Sequence, residues 1–261
     1  MTEPDRPLDA TRDVLLESIT GSSERLAEIL ASADPTVEIG SCPGWDLRRL
    51  AIHVGTVHRW ATEAARDARA PSQRPEDPAP GTPLGPWLLE GAEALVATLA
   101  DLDPDAPTWS PFGGEHTARL WPRRMAHETV LHRVDAELAT GLMAPNPSQA
   151  LDAALASDTI DEYFEMMLPA ALRRRGRSLP GSSLHVHCTD VAGEWLVWAE
   201  GSTLEMQREH AKGDAALRGP ASALALAVWG RRWPGSDVWP LDVEVVGDQG
   251  AATAWLALGG A

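Results

Sequence analysis

Lysine is nearly missing from this chain. Lys212 is the only one among 22 basic residues, and the rest are arginine. Against 38 Asp and Glu, the basic set leaves a formal net charge of −16. So acidic a chain lacks the basic face that a nucleic-acid backbone or an anionic membrane requires, and neither is expected as a partner. Cysteine is scarce as well. Cys42 and Cys188 alone cannot make a disulfide scaffold, and they fit a reducing compartment. No apolar run approaches the roughly 18 residues of a membrane span. Residues 1–13 are polar and carry no apolar signal-peptide core, so the expectation is a soluble, cytoplasmic protein. Phe and Tyr are rare at two and one, whereas Trp reaches 11. Tryptophan supplies large contact area, and here it either lines a pocket or replaces the missing Phe and Tyr in the core. Arginine in place of lysine, with abundant Ala, Gly and Pro, points to a GC-rich genome. Arginine by itself is therefore not read as a phosphate clamp.

What is present is helical over the first two-thirds. Within 8–32, Leu15, Leu16, Ile19, Leu26, Ile29 and Leu30 form one apolar face, with a break expected at Gly21 and its neighbouring serines. Ser41-Cys42-Pro43-Gly44-Trp45-Asp46 reads as a turn, with Asp46 as N-cap of a helix from Leu47 to about Arg69. Residues 71–86 are proline-rich and read as loop. A third helix carries Leu88, Leu95 and Leu99, and 103–117 is a second loop. A fourth helix spans about 119–142, with Pro122 tolerated in its first turn, and a fifth spans 148–175. Beyond Ser178-Leu179-Pro180-Gly181 the texture alternates. Leu184–Cys188 and Glu194–Trp198 read as strands joined by a turn at Asp190 and Gly193. A helix at 220–229, a strand at 241–245 and a closing helix at 251–258 complete the chain. There is no internal repeat. The expected architecture is α+β in two domains: a four-helix bundle over 1–177 and a small α+β domain over 178–261.

The chemistry-bearing residues concentrate on the second and fourth helices. His53 falls on the apolar stripe Leu50, His53, Val57, Trp60 and is expected to point into the bundle, whereas His58 faces elsewhere. On the fourth helix, His127-Glu128-Thr129-Val130-Leu131-His132 is one residue too long for a zincin motif. His127 and His132 splay by about 140° around the axis, but Glu128 and His132 differ by only about 40° and can share an ion. Two His and one Glu from two helices form a zinc set with an open fourth position. The plainer alternative is an ordinary i,i+4 pair and a satisfied core histidine. Asp135 is placed to orient His132, and Arg124 to pair with Glu128.

Cys42-Pro43-Gly44-Trp45-Asp46 with His53, together with Trp121–Glu128 through His132, Arg133 and Asp135, resembles the mycothiol-dependent maleylpyruvate isomerase family of the DinB-like metal-binding bundles. The resemblance extends through Asp158–Glu162 to the Leu184–Asp190 segment, Trp195 and Gly230-Arg231. It implies a divalent ion, usually zinc, on His53, Glu128 and His132. It also implies mycothiol as the thiol co-substrate, activated as thiolate for attack on a small electrophile in an isomerase or S-transferase reaction. Arg231 matches the family's Gly-Arg and is the candidate catalytic cation for a substrate carboxylate; the alternative is a surface arginine.

Other candidates stand open. Cys42 is either a further ligand or a buried inert thiol, and His116 is a conceivable extra ligand. His185 and His187 share one strand face and are able to bind a metal by themselves, but with no acid or Cys pattern nearby they are read as cleft lining or packing. A hydrolase with a metal-activated water and a non-catalytic, metal-stabilised binding protein are the competing functions. The expected assembly is a monomer or a small homo-oligomer.

Overall fold

The computed structural model describes residues 11–142, 146, 149–231 and 242–259. Two compact units divide the chain after residue 143. The first residues of the expected first helix (8–10), the start of the fifth helix (148) and the start of the 241–245 strand lie outside the described residues.

The first unit is the expected four-helix bundle. It comprises α1 (Arg12–Ser32), α2 (Leu47–Asp67), α3 (Leu84–Asp101) and α4 (Leu120–Thr140). α1 and α2 each pack against both α3 and α4. Leu26 and Ile29 of α1 meet Leu47, Leu50 and Val54 of α2, Leu88 of α3 and Ala136 of α4 in a core that also takes Ile39 and Cys42 from the first connection. α1 runs straight through Gly21. The expected break does not occur because Ser22 and Ser23 are buried and Ser23 Oγ donates back to Ile19 O at 2.8 Å. Serine satisfied within the helix no longer competes with it. α2 and α3 approach closely at Gly55, where a Cβ would overlap the Trp87 ring. The loop at 103–117 contains a short antiparallel pair, β1 (Pro107–Thr108) and β2 (His116–Thr117).

The connection between α1 and α2 is a tight coil. Ile39 N donates to Trp45 O, Cys42 N to Ile39 O and Trp45 N to Cys42 O, all at 2.9–3.0 Å. Gly44 closes it at φ +79°, a left-handed conformation that favours glycine. The Asp46 side chain then accepts from Arg49 N at 2.7 Å and caps α2. This coil aims Trp45 back at the bundle.

The second unit contains α5 (Ala153–Glu162), a widened π turn (Tyr163–Met167) and α6 (Leu168–Arg175). These are followed by β3 (Leu184–Cys188), β4 (Glu194–Glu200), β5 (Thr203–Gln207), β6 (Ala215–Gly219), α7 (Ala221–Val228), β7 (Glu244–Gly247) and α8 (Gln249–Leu256). The five strands form one sheet in the order β5-β4-β3-β6-β7, with β3 and β6 parallel and the other pairs antiparallel. The expected single fifth helix is interrupted by the π turn just ahead of Pro169, whose missing N–H leaves the Glu165 carbonyl without its α-helical donor.

The units divide at 143, not at the 177 expected from the change of texture. The reason is that α5 is anchored to the sheet unit. Asp161, fully buried, accepts from Trp195 Nε1 at 2.8 Å and from Arg208 Nε and Nη2 at 2.6 and 3.0 Å. Trp229 Nε1 donates to Thr159 O at 3.2 Å, and Leu151 N to Ser222 Oγ at 3.1 Å. Helical texture alone cannot say which core a helix serves.

Candidate metal centre

α4 is buried almost all round, yet Arg123, Arg124, His127, Thr129, His132, Asp135 and Glu137 are all among its buried residues. Burying so many polar and charged groups on one helix is costly unless each is paired. Their pairings build the site. His53 Nε2 from α2 lies 2.9 Å from Glu128 Oε1, and His132 Nε2 lies 3.4 Å from the same oxygen. The three donor atoms fall within 4.8 Å of one another. The trio singled out by helical spacing is therefore brought together.

A further layer of contacts fixes these donors. His132 Nδ1 is 2.9 Å from Asp135 Oδ2, and Ser41 Oγ donates to Asp135 Oδ1 at 2.6 Å. A proton on Nδ1 facing Asp135 leaves His132 Nε2 as the free lone pair. Arg124, itself buried, donates to Glu128 Oε2 from one turn earlier, as its spacing predicts. Trp45 covers the two histidines, with ring centroids 4.7 Å from His53 and 6.0 Å from His132.

The electrostatics favour a cation. Burial would raise the Glu128 carboxyl, but Arg124 and the hydrogen bonds from His132 and His53 outweigh it and hold the group well below the usual carboxylate range. Burial would likewise lower His132, yet its contacts with Asp135, Cys42 and Glu128 push it well above the usual imidazole value. Glu128 is thus held as a carboxylate, and positive charge is favoured at His132 beside it. Two imidazoles and one carboxylate are the donor chemistry of a borderline divalent ion, and the set leaves a coordination position for a further ligand.

His53 also forms part of the wall of a cavity of about 910 Å³, lined by Trp45, Arg48, Arg49, Trp60 and Arg74 among others. His53 is thus a wall residue with its side chain 30% exposed, not one sealed in the bundle interior as the apolar stripe suggests. Thr56 borders the same cavity, and its buried hydroxyl has no hydrogen-bond partner among the described residues.

The remaining candidates separate cleanly. His58 is fully buried beside Thr129 Oγ1 at 2.9 Å, and desolvation lowers it to about 4. Cys42 is buried, with Sγ 3.9 Å from Asp135 Oδ2, and makes an alternative donor set with His132 and Asp135. His116 Nε2 turns to its own loop, 2.6 Å from Gly113 O, and joins no donor group among the described residues. Arg231, in the second unit, is buried rather than on the surface. Its Nη1 donates to Trp229 O at 3.0 Å and its guanidinium lies 5.9 Å from the Trp229 ring centroid. His185 and His187 face Glu194 and His210. Sequence reasoning missed Ser41, which sits in an unpatterned turn, and the covering role of Trp45, although its Pro-Gly-Trp setting marked the position.

Two family models match the chain. The Mycothiol maleylpyruvate isomerase N-terminal domain matches residues 6–137, and the MDMPI C-terminal domain matches residues 154–254. Their limits agree with a division near 143. Among solved structures, the chain is similar to a crystal structure of the mycothiol-dependent maleylpyruvate isomerase (TM-score 0.57, 14% identity) and to that of a histidine-to-alanine mutant of it (TM-score 0.58, 13% identity). Each comparison covers 91% of this chain and 93% of the other, and at that identity the likeness establishes the α+β two-domain fold. No curated protein matches the chain significantly.

Proposed function

The chain belongs to the mycothiol maleylpyruvate isomerase family, and from that membership we propose a mycothiol-dependent isomerase or S-transferase working at a divalent ion, zinc, held by His53, Glu128 and His132. The observation that carries this reading is the meeting of Glu128 Oε1 and His132 Nε2 with His53 Nε2, whose residue lines the cavity. When bound, such an ion lowers the pKa of a thiol and keeps it as thiolate, the nucleophilic form.

The chain's own residues do the rest. Asp135 and Ser41 orient His132. Arg124 keeps Glu128 ionised, so Glu128 serves as a ligand and not as a general base. Trp45 shields the two imidazoles from water on one side. Arg48, Arg49, Arg74, Asp46 and Asp77 line the cavity and suit the polar body of a hydroxyl-rich thiol. Arg231, buried beside Trp229, is the proposed cation for a substrate carboxylate.

The test is turnover of maleylpyruvate and of an activated electrophile by the zinc-loaded protein, with and without mycothiol. Turnover that requires the thiol is expected. Hydrolysis at equal rate without thiol would overturn the reading in favour of a metal-activated water.

A further inference from the structure

A second convergence of donors lies in the sheet unit. β3 presents His185 and His187 on one face, while Leu184, Val186 and Cys188 point to the buried face. The β3–β4 register sets Glu194 directly opposite His187. His210 arrives from the segment after β5. Its Nδ1 is 2.7 Å from Glu194 Oε2, His185 Nε2 is 3.1 Å from the same oxygen, and His187 Nδ1 is 2.9 Å from Glu194 Oε1. The three imidazole rings lie 5.3–6.1 Å apart, centroid to centroid. The four donor atoms fall within 4.8 Å of one another.

The segment carrying His210 is held in place on both sides. Two residues earlier, Arg208 is clamped to Asp161 through two nitrogens. Four residues later, Asp214 Oδ2 accepts from Ser183 N and Oγ at 2.7 and 2.8 Å. An otherwise polar connection is therefore pinned so that its one histidine meets the hairpin. The sheet's apolar core lies on the opposite face and does not require this group. Three histidines gathered around one carboxylate, from three separate segments, form a preorganised donor set.

We propose that His185, His187, His210 and Glu194 form a second divalent-cation site. Its donor set is three imidazole nitrogens and one carboxylate oxygen, a borderline set that suits zinc. Four protein donors fill a tetrahedral sphere, so the site is structural. It ties the segment after β5 to the β3–β4 hairpin and leaves no position for a thiol. Its residues are separate from His53, Glu128 and His132, so either assignment can fail without the other.

The test is zinc content of the full-length protein after equilibrium dialysis against buffered free zinc. About two ions per chain are expected for the unmodified protein. The His53→Ala/His132→Ala variant should retain about one and the His185→Gln/His187→Gln variant about one. His210 is 79% exposed, so His210→Ala leaves the fold intact and should weaken the second ion roughly tenfold or more. In the His53→Ala/His132→Ala background, zinc should raise the melting temperature, and His210→Ala should remove that rise. The proposal is overturned if that background holds no zinc, or if His185→Gln/His187→Gln and His210→Ala both leave the ion count and the affinities unchanged.

Discussion

On α4, Glu128 and His132 lie one turn apart on a buried helix, and each is braced by another side chain: Arg124 on Glu128, Asp135 on His132. On β3 and β4, four donors meet across a hairpin and a pinned loop. Among the described residues they brace only one another, and His210 is largely exposed. The helical set offers three donors, one of them on a cavity wall; the strand set offers four. A reactive centre needs a vacant coordination position and donors locked by their surroundings. A structural clamp needs neither. On the two proposals, the same residue types would acquire different chemistry from the number of donors and from what stands behind them.

The comparison breaks most visibly at His132. His132→Ala or His53→Ala should cost the helical centre its ion and abolish thiol-dependent turnover, while the strand cluster keeps its own; elemental analysis and activity check this. Next is Arg124→Met, which removes the guanidinium from half-buried Glu128 and leaves the carboxylate only its contacts with His53 and His132. A loss of about 3 kcal/mol or more is expected in the metal-free protein by denaturant unfolding, and zinc should restore part of it.

A third prediction concerns pH. Desolvation lowers His58 from 6.5 to about 4. Below pH 6.5 the unfolded chain takes up a proton that the folded chain refuses until about pH 4. Stability therefore falls as pH drops through that window, by about 3 kcal/mol in all. His58→Gln should flatten the slope between pH 6.5 and 5, read by unfolding at several pH values. The smallest effect is expected from Asp135→Asn. It keeps the shape but weakens the orienting contact on His132, and should lower metal affinity roughly ten- to a hundredfold. Among the described residues no partner of this kind stands behind His210, so the strand cluster offers no corresponding variant.

The helical centre was readable because its signals are local. Glu128, His132, Asp135 and Arg124 all lie on one helix, where spacing fixes direction, and His53 sits on a stripe that must face its neighbours. The sheet was less readable. β5 is a polar Thr-Leu-Glu-Met-Gln run, and β6, Ala-Ala-Leu-Arg-Gly, carries little strand character; both are set by pairing with distant partners. The turn at Asp190 and Gly193 does bring Glu194 towards His187, so half of the strand cluster was within reach. His210 was not, because its place depends on the Arg208–Asp161 clamp to a helix 47 residues away in sequence. The domain division moved for the same reason: α5 looks like its helical predecessors but is bonded to Trp195, Arg208 and Trp229 in the sheet unit.

The central claim is that the ion on His53, Glu128 and His132 receives the thiol. The direct measurement is the absorption spectrum of cobalt-loaded His185→Gln/His187→Gln protein titrated with mycothiol, which removes the strand cluster from the spectrum. A sulfur-to-cobalt charge-transfer band that grows to saturation, and that vanishes when His53→Ala is added, is the predicted result. A cobalt spectrum that does not change on adding thiol would contradict it.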